Sequence, residues 1–170
     1  VKHLYDEGAR VFVYDRNQDK VKKIMQDYDG VEFIEGSKIY GFDGDIYSPC
    51  ALGATINDDS IKKFKFKIIA GSANNQLAVE EKHGKMILEK GIIYAPDFVI
   101  NSGGLINVYS EMQGYNQDKA LSKARNIYDA VAKVLDIAET DNIPSYLAAN
   151  KLAEERITAR KKTNKEALAK

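Results

Sequence analysis

IIAGSANNQL at positions 68–77 and GIIYAPDFVINSGGLINV at positions 91–108 decide the fold of this chain. Each opens as a short apolar strand and stops abruptly in small and amide residues. The first stops in Gly71-Ser72-Ala73-Asn74-Asn75, the second in Asn101-Ser102-Gly103-Gly104. In an open α/β sheet, ligands sit just outside the carboxyl ends of the strands. An amide side chain placed there offers both a donor and an acceptor, so it can orient an amide-bearing ligand such as nicotinamide. The two stretches predict a small-molecule crevice whose expected occupant is a dinucleotide.

Further strands read outward from this pair. Arg10–Asp15 is β-branched and aromatic, and Val31–Ile34, Asp45–Cys50, Lys67–Ala70 and Ile92–Ala95 follow as short strands. Helices fall between them. One starts at Asn17, with Val21, Ile24, Met25 and Tyr28 on its apolar face, and stops at Asp29-Gly30. Ser37–Tyr40 forms a helical turn. Asn57 or Asp58 caps a short helix through Phe64, and another around Glu80–Lys90 ends at Gly91. Strands alternating with helices over short connections predict an α/β domain with a mostly parallel sheet. From Gly104 the chain turns helical. Leu121, Ala124, Tyr128, Val131, Leu135 and Ala138 keep the spacing of one amphipathic face. Ile143-Pro144-Ser145 breaks that helix, and Leu147, Leu152 and Ile157 continue in a second. Past Thr158 the lysine-rich sequence loses its apolar stripe and is expected to fray. The division is 1–115 for the α/β domain, 116–160 for the helical segment and 161–170 for the tail.

Val1–Gly8 reads as the last turns of a helix stopped by Gly8, so truncation ahead of Val1 is expected; a short native helix is the alternative. The 170 residues suffice for a real core. Lys+Arg and Asp+Glu are equal at 25 each, unlike the basic balance of a nucleic-acid binder. No apolar run reaches membrane-spanning length. The single cysteine, Cys50, excludes an intrachain disulfide and fits a reducing cytoplasm.

Asp15 closes the first strand. An acidic residue at the end of the second strand of a dinucleotide fold takes the adenosine ribose and repels a 2′-phosphate, favouring NAD over NADP. Arg16 blurs that preference, and Asp15 could instead cap the next helix. No G-x-G-x-x-G occurs; in a truncated chain that turn lies upstream. Cys50-Ala51-Leu52 follow a strand end and could line the adenosine side of the crevice, or Cys50 could pack as a small hydrophobe. His3 and His83 read as surface helix residues, and Glu80-Glu81 as a solvated helix face. Asn74, Asn75 and Asn101 suit turns and caps in isolation. Two such clusters ending neighbouring strands favour ligand contact. Leu105 and Val108 share a helix face, as core or as the apolar wall of a substrate pocket.

These stretches resemble the Glu/Leu/Phe/Val dehydrogenase family. The resemblance is carried by Asp45-Ile46-Tyr47-Ser48-Pro49-Cys50-Ala51-Leu52-Gly53-Ala54, by Ala70–Leu77 and by Tyr94–Gly104, with Gly114-Tyr115-Asn116 and Leu152–Ile157 extending it. It implies NAD-dependent, reversible oxidative deamination of an L-amino acid to the 2-oxo acid and ammonium, with a branched-chain substrate expected and phenylalanine or valine as alternatives. By position, Asp15 would bind the adenosine ribose, Cys50, Ala51 and Leu52 would line the adenosine half, and Ala73, Asn74 and Asn101 would flank the nicotinamide and its ribose. Leu105 and Val108 would wall the side-chain pocket. Glutamate-specific members tend to carry a hydroxyl residue at the position of Val108; an apolar residue there leaves a glutamate carboxylate unpaired. Leu105 is bulkier than the valine associated with leucine-specific members and resembles the phenylalanine enzymes. Ser102 departs from the more usual alanine. The family's catalytic lysine and aspartate belong to an N-terminal domain outside these residues, so no turnover by the 170 residues alone is expected.

The resemblance also implies a Rossmann-like sheet lacking its first strand, and a homo-oligomer in the full-length protein. A non-catalytic nucleotide-binding module and an oligomerisation domain are the competing readings. A sheet without its central strand is expected to be marginally stable or prone to aggregate.

Overall fold

The computed structural model describes the backbone of residues 1–168 and the side chains of residues 1–162. Helix α1 (Lys2–Asp6) ends where Gly8 takes a left-handed φ of 80°. Strand β1 (Phe12–Val13) leads into α2 (Gln18–Asp27), and β2 (Glu32–Phe33) into a 3-10 turn (Gly36–Gly41). Then come β3 (Ile46–Tyr47), α3 (Asp58–Lys63), β4 (Ile68–Ile69), α4 (Glu80–Glu89) and β5 (Ile93–Tyr94). Asn17 caps α2 through its side chain, and Asn57 forms a capping box with Ser60 on α3.

All the pairings are parallel, but the strands are shorter than the apolar runs and form two sheets, β1-β2 and β3-β4-β5. In the doubly wound order 3-2-1-4-5-6 these are strands 3-2 and 4-5-6, with the first strand's place between β1 and β3. No strand lies there among the described residues. The ladders occupy alternate residues, so the peptide groups of Phe12 and Ile46 are turned away from β2 and β4. Phe42 fills part of the junction, its ring 4.5 Å from that of Phe12.

The main core lies on the larger sheet, where Ile56, Ile61, Phe64, Phe66, Ile69 and Ile87 are buried together. Three further helices follow: α5 (Asp97–Ile100), α6 (Gly103–Met112) and the long α7 (Gln117–Asp141). Asn142, in the left-handed region, ends α7, and α8 (Ser145–Leu168) folds back along it. Val134, Ala138, Ala148, Ala149 and Leu152 form this second core, with Val99 of α5 packed against it. The buried line of α7 follows the expected one in part: Ala138 is buried and Ala124, Val131 and Leu135 are half-buried, but Ala120 and Val134 are buried as well, and Leu121 and Tyr128 are 51% and 80% exposed. Periodicity marked the helix and most of its inner face; the face departs from it at Leu121 and Tyr128. Helical backbone continues through Leu168. Of the tail expected to fray, residues 169–170 and the side chains from 163 lie outside the described residues.

Candidate functional site

Beyond the carboxyl ends of β4 and β5 opens a cavity of about 790 Å³. Its first wall is the loop after β4. Gly71 is required there, because a Cβ would lie 2.2 Å from the carbonyl oxygen of Pro49. The Ala73 N–H donates to that same oxygen at 2.9 Å. Asn75 takes a left-handed φ of 51°, which asparagine tolerates better than most residues. The Ala54 N–H donates to the Asn75 carbonyl at 2.7 Å. Gly53 lets this contact form, since a Cβ on it would stand 2.7 Å from the Asn74 carbonyl oxygen.

The second wall follows β5, though not in the way the sequence suggested. Phe98, Val99 and Ile100 do not continue the strand. Buried Pro96 ends it, and the Pro96 carbonyl accepts from the N–H groups of Val99 and Ile100 to start α5. Asp97 Oδ1 accepts from the Phe98 N–H at 2.8 Å. Asn101 is therefore the C-cap of a helical turn, one element beyond the strand end.

The two walls meet through their amides. Asn101 Nδ2 donates to Asn74 Oδ1 at 2.5 Å, and both residues line the cavity with Ser72, Glu80, Asp97 and Leu105. That bond leaves Asn74 Nδ2 as a donor and Asn101 Oδ1 as an acceptor. Among the described residues nothing lining the cavity is basic. Burial raises the Glu80 carboxyl above its ordinary value, and the charges of Asp97 and Glu81 add to the rise. Burial likewise pushes the Tyr94 hydroxyl up, helped by Asp97.

Of the candidates other than the asparagines, only Leu105 lines this cavity. Ala73 is buried behind Asn74. Cys50 is tied to the cavity through Ser72: burial pushes its thiol up, but the Ser48 and Ser72 hydroxyls outweigh it and hold the thiol below its ordinary value. Ala51 and Leu52 are exposed next to it, outside the cavity lining. Leu105 lines the mouth; Val108, one turn on, is exposed and outside the lining. Asp15 and Arg16 follow β1 in the smaller sheet. Asp15 Oδ1 accepts from the Asn17 N–H at 2.8 Å, the turn-capping geometry.

Three site residues escaped the sequence reading. Glu80, expected on a solvated face, is exposed and also lines the cavity. Gln76 and Asp97 are buried there, each in a quoted motif but overshadowed by the asparagines. His83 is corrected outright. It is 2% exposed rather than on the surface, because α4 turns it inward, where its Nδ1 accepts from the Val79 N–H at 2.8 Å.

Parallel strands wound with helices, and a polar cavity past their carboxyl ends, define a ligand-binding α/β domain. The sequence profile of the Glutamate/Leucine/Phenylalanine/Valine dehydrogenase family matches residues 8–164. The chain belongs to that family. It is 54% identical over 162 residues to leucine dehydrogenase of Thermoactinomyces intermedius, covering 95% of this chain and 44% of that protein. Phenylalanine dehydrogenase of Bacillus thermotolerans is 46% identical over 165 residues, with 95% and 43% covered. The crystal structure of L-tryptophan dehydrogenase from Nostoc punctiforme superposes with a TM-score of 0.91 at 42% identity, over 95% of this chain and 48% of that one. The chain thus spans less than half the length of each of these relatives.

Proposed function

We propose that this chain forms the cofactor-binding part of an NAD-dependent dehydrogenase that converts a branched-chain L-amino acid to its 2-oxo acid and ammonium. The observation that carries the reading is the Asn74–Asn101 contact at the cavity wall. Its remaining donor and acceptor complement a carboxamide, which has one acceptor oxygen and a donor nitrogen. The nicotinamide of NAD carries that group, and NAD bound there supplies the hydride acceptor for oxidation at Cα. Asn74 and Asn101 orient the ring, and Ala73 backs it. Cys50, Ala51 and Leu52 flank the adenosine half. Asp15 takes the adenosine ribose and repels a 2′-phosphate, which makes NAD the preferred cofactor.

The cavity lining is apolar at Leu105, with exposed Val108 one turn further along α6, and acidic at Glu80 and Asp97. A glutamate side chain would find no basic partner among the lining residues, and an unpaired carboxylate is costly to desolvate. The 54% identity to a leucine dehydrogenase supports a branched-chain substrate. The bulk of Leu105 favours phenylalanine as the second reading. The exposed apolar residues of α6, with Leu105 at 73% and Met112 at 78%, suit an assembly in which the rest of the enzyme or a second copy covers them.

The test is reductive amination by the full-length gene product. With ammonium and NADH, 4-methyl-2-oxopentanoate is expected to turn over faster than phenylpyruvate or 2-oxoglutarate. Equal or greater turnover of 2-oxoglutarate contradicts the proposal.

A further inference from the structure

Gln76 is fully buried and polar, a combination that needs a reason. Its Nε2 donates to the Gly71 carbonyl at 2.8 Å and to the Ala73 carbonyl at 3.0 Å. One side chain thus straps the loop across its own base. Gln76 is in turn held by Asp97, whose Oδ2 accepts from the Gln76 N–H at 2.9 Å. Asp97 sits at the start of α5, the helix that ends at Asn101. The same two residues therefore fix both walls: Gln76 the loop bearing Asn74, and Asp97 the register between that loop and the turn bearing Asn101. Ile56 N–H donates to the Gln76 carbonyl at 3.0 Å, which pins the strap to the rest of the domain.

We infer that Gln76 and Asp97 are positioning residues that hold the Asn74–Asn101 pair in register to receive a carboxamide. This rests on the nicotinamide reading above and adds the means by which the pair is kept in place. Neither residue needs to touch the cofactor through the groups used in the strap; they act through the loop. A small displacement of either wall separates the donor of Asn74 from the acceptor of Asn101, and the pair then ceases to read both ends of an amide.

The experiment compares dissociation constants of the full-length enzyme for NAD and for its 3-acetylpyridine analogue, in which a methyl group stands for the amide nitrogen. The analogue leaves the acceptor of Asn101 without a partner, so the wild-type enzyme is expected to prefer NAD by about tenfold. Gln76→Leu keeps the volume and removes both donors; its preference is expected to fall to within about twofold, whatever happens to its melting temperature. Asp97→Asn, which replaces one acceptor, is expected to move the same way by a smaller factor and decides the matter if Gln76→Leu does not fold. A folded Gln76→Leu enzyme that melts earlier yet keeps the tenfold preference makes the strap merely structural and overturns the inference. A wild-type enzyme without the preference, or one whose preference survives Asn101→Ala, overturns the nicotinamide reading itself and the inference with it.

Discussion

Asn74 and Asn101 are 27 positions apart in sequence, and their hydrogen bond is the smallest unit on which the functional reading stands. Replacing Asn74 by alanine removes one side of the pair and leaves the Asn101 amide donor unpaired. Loss of such a solvent-accessible hydrogen bond costs about 0.5–1.5 kcal/mol, so the KM for NAD in the full-length enzyme is expected to rise by about two- to tenfold, with a smaller effect on the KM for the amino acid. Steady-state kinetics with each substrate varied in turn checks this. Glu80 gives a second prediction at this scale. Its folded-state carboxyl titrates above the ordinary 4.5, chiefly through burial. Between 4.5 and that raised value the folded state holds more protons than the unfolded state, so this group makes stability fall as pH rises through the window. Glu80→Gln is expected to remove that downward slope, as measured by urea denaturation at a series of pH values. An unchanged slope contradicts the placement of Glu80 at the cavity wall. The residues legible in the sequence were those ending apolar runs in amides. Gln76, Asp97 and His83 were not, because a polar residue turned inward looks like any surface polar residue until its partners, 3 to 21 positions away, are known.

At the scale of elements, the sequence placed helices better than strands. The cap at Asn57 or Asp58, and Gly8 and Gly91 at their turns, are local signals and were read as such; the return bond from Ser60 was not. Strand lengths were overstated because strand character extends only as far as a neighbouring strand pairs, and pairing is not local. Phe98–Ile100 show the limit most plainly: the same apolar residues suit a strand or a helical turn, and Pro96 with Asp97 settled it. Close helix packing yields a prediction. Gly84 of α4 lies against Tyr146 of α8, where a Cβ would stand 2.7 Å from the ring. Gly84→Ala is expected to destabilise the protein by about 1–3 kcal/mol through overpacking, read as a lower denaturation midpoint. A midpoint equal to wild type would show that α4 and α8 do not meet this closely.

At the scale of the whole molecule, the sheet is two sheets, and the break falls where a doubly wound domain has its first strand. Unpaired strand edges at that break, together with exposed Leu105, Tyr109, Met112 and Tyr128, make the 170-residue chain by itself a candidate for self-association. Light scattering on the purified chain is expected to show mass above a monomer's, rising with concentration; a compact monomer across the range contradicts this. The same chain mixed with NAD and leucine is expected to generate no NADH, since the family resemblance puts the lysine and aspartate of the chemistry elsewhere. Absorbance at the NADH band checks it.

The most direct measurement is a crystal structure of the full-length enzyme with NAD bound. The nicotinamide carboxamide is expected within hydrogen-bond distance of Asn74 Nδ2 and Asn101 Oδ1, at the mouth of the cavity beyond β4 and β5. A nicotinamide ring lodged elsewhere, with the two asparagines facing only water, would contradict the account at its root.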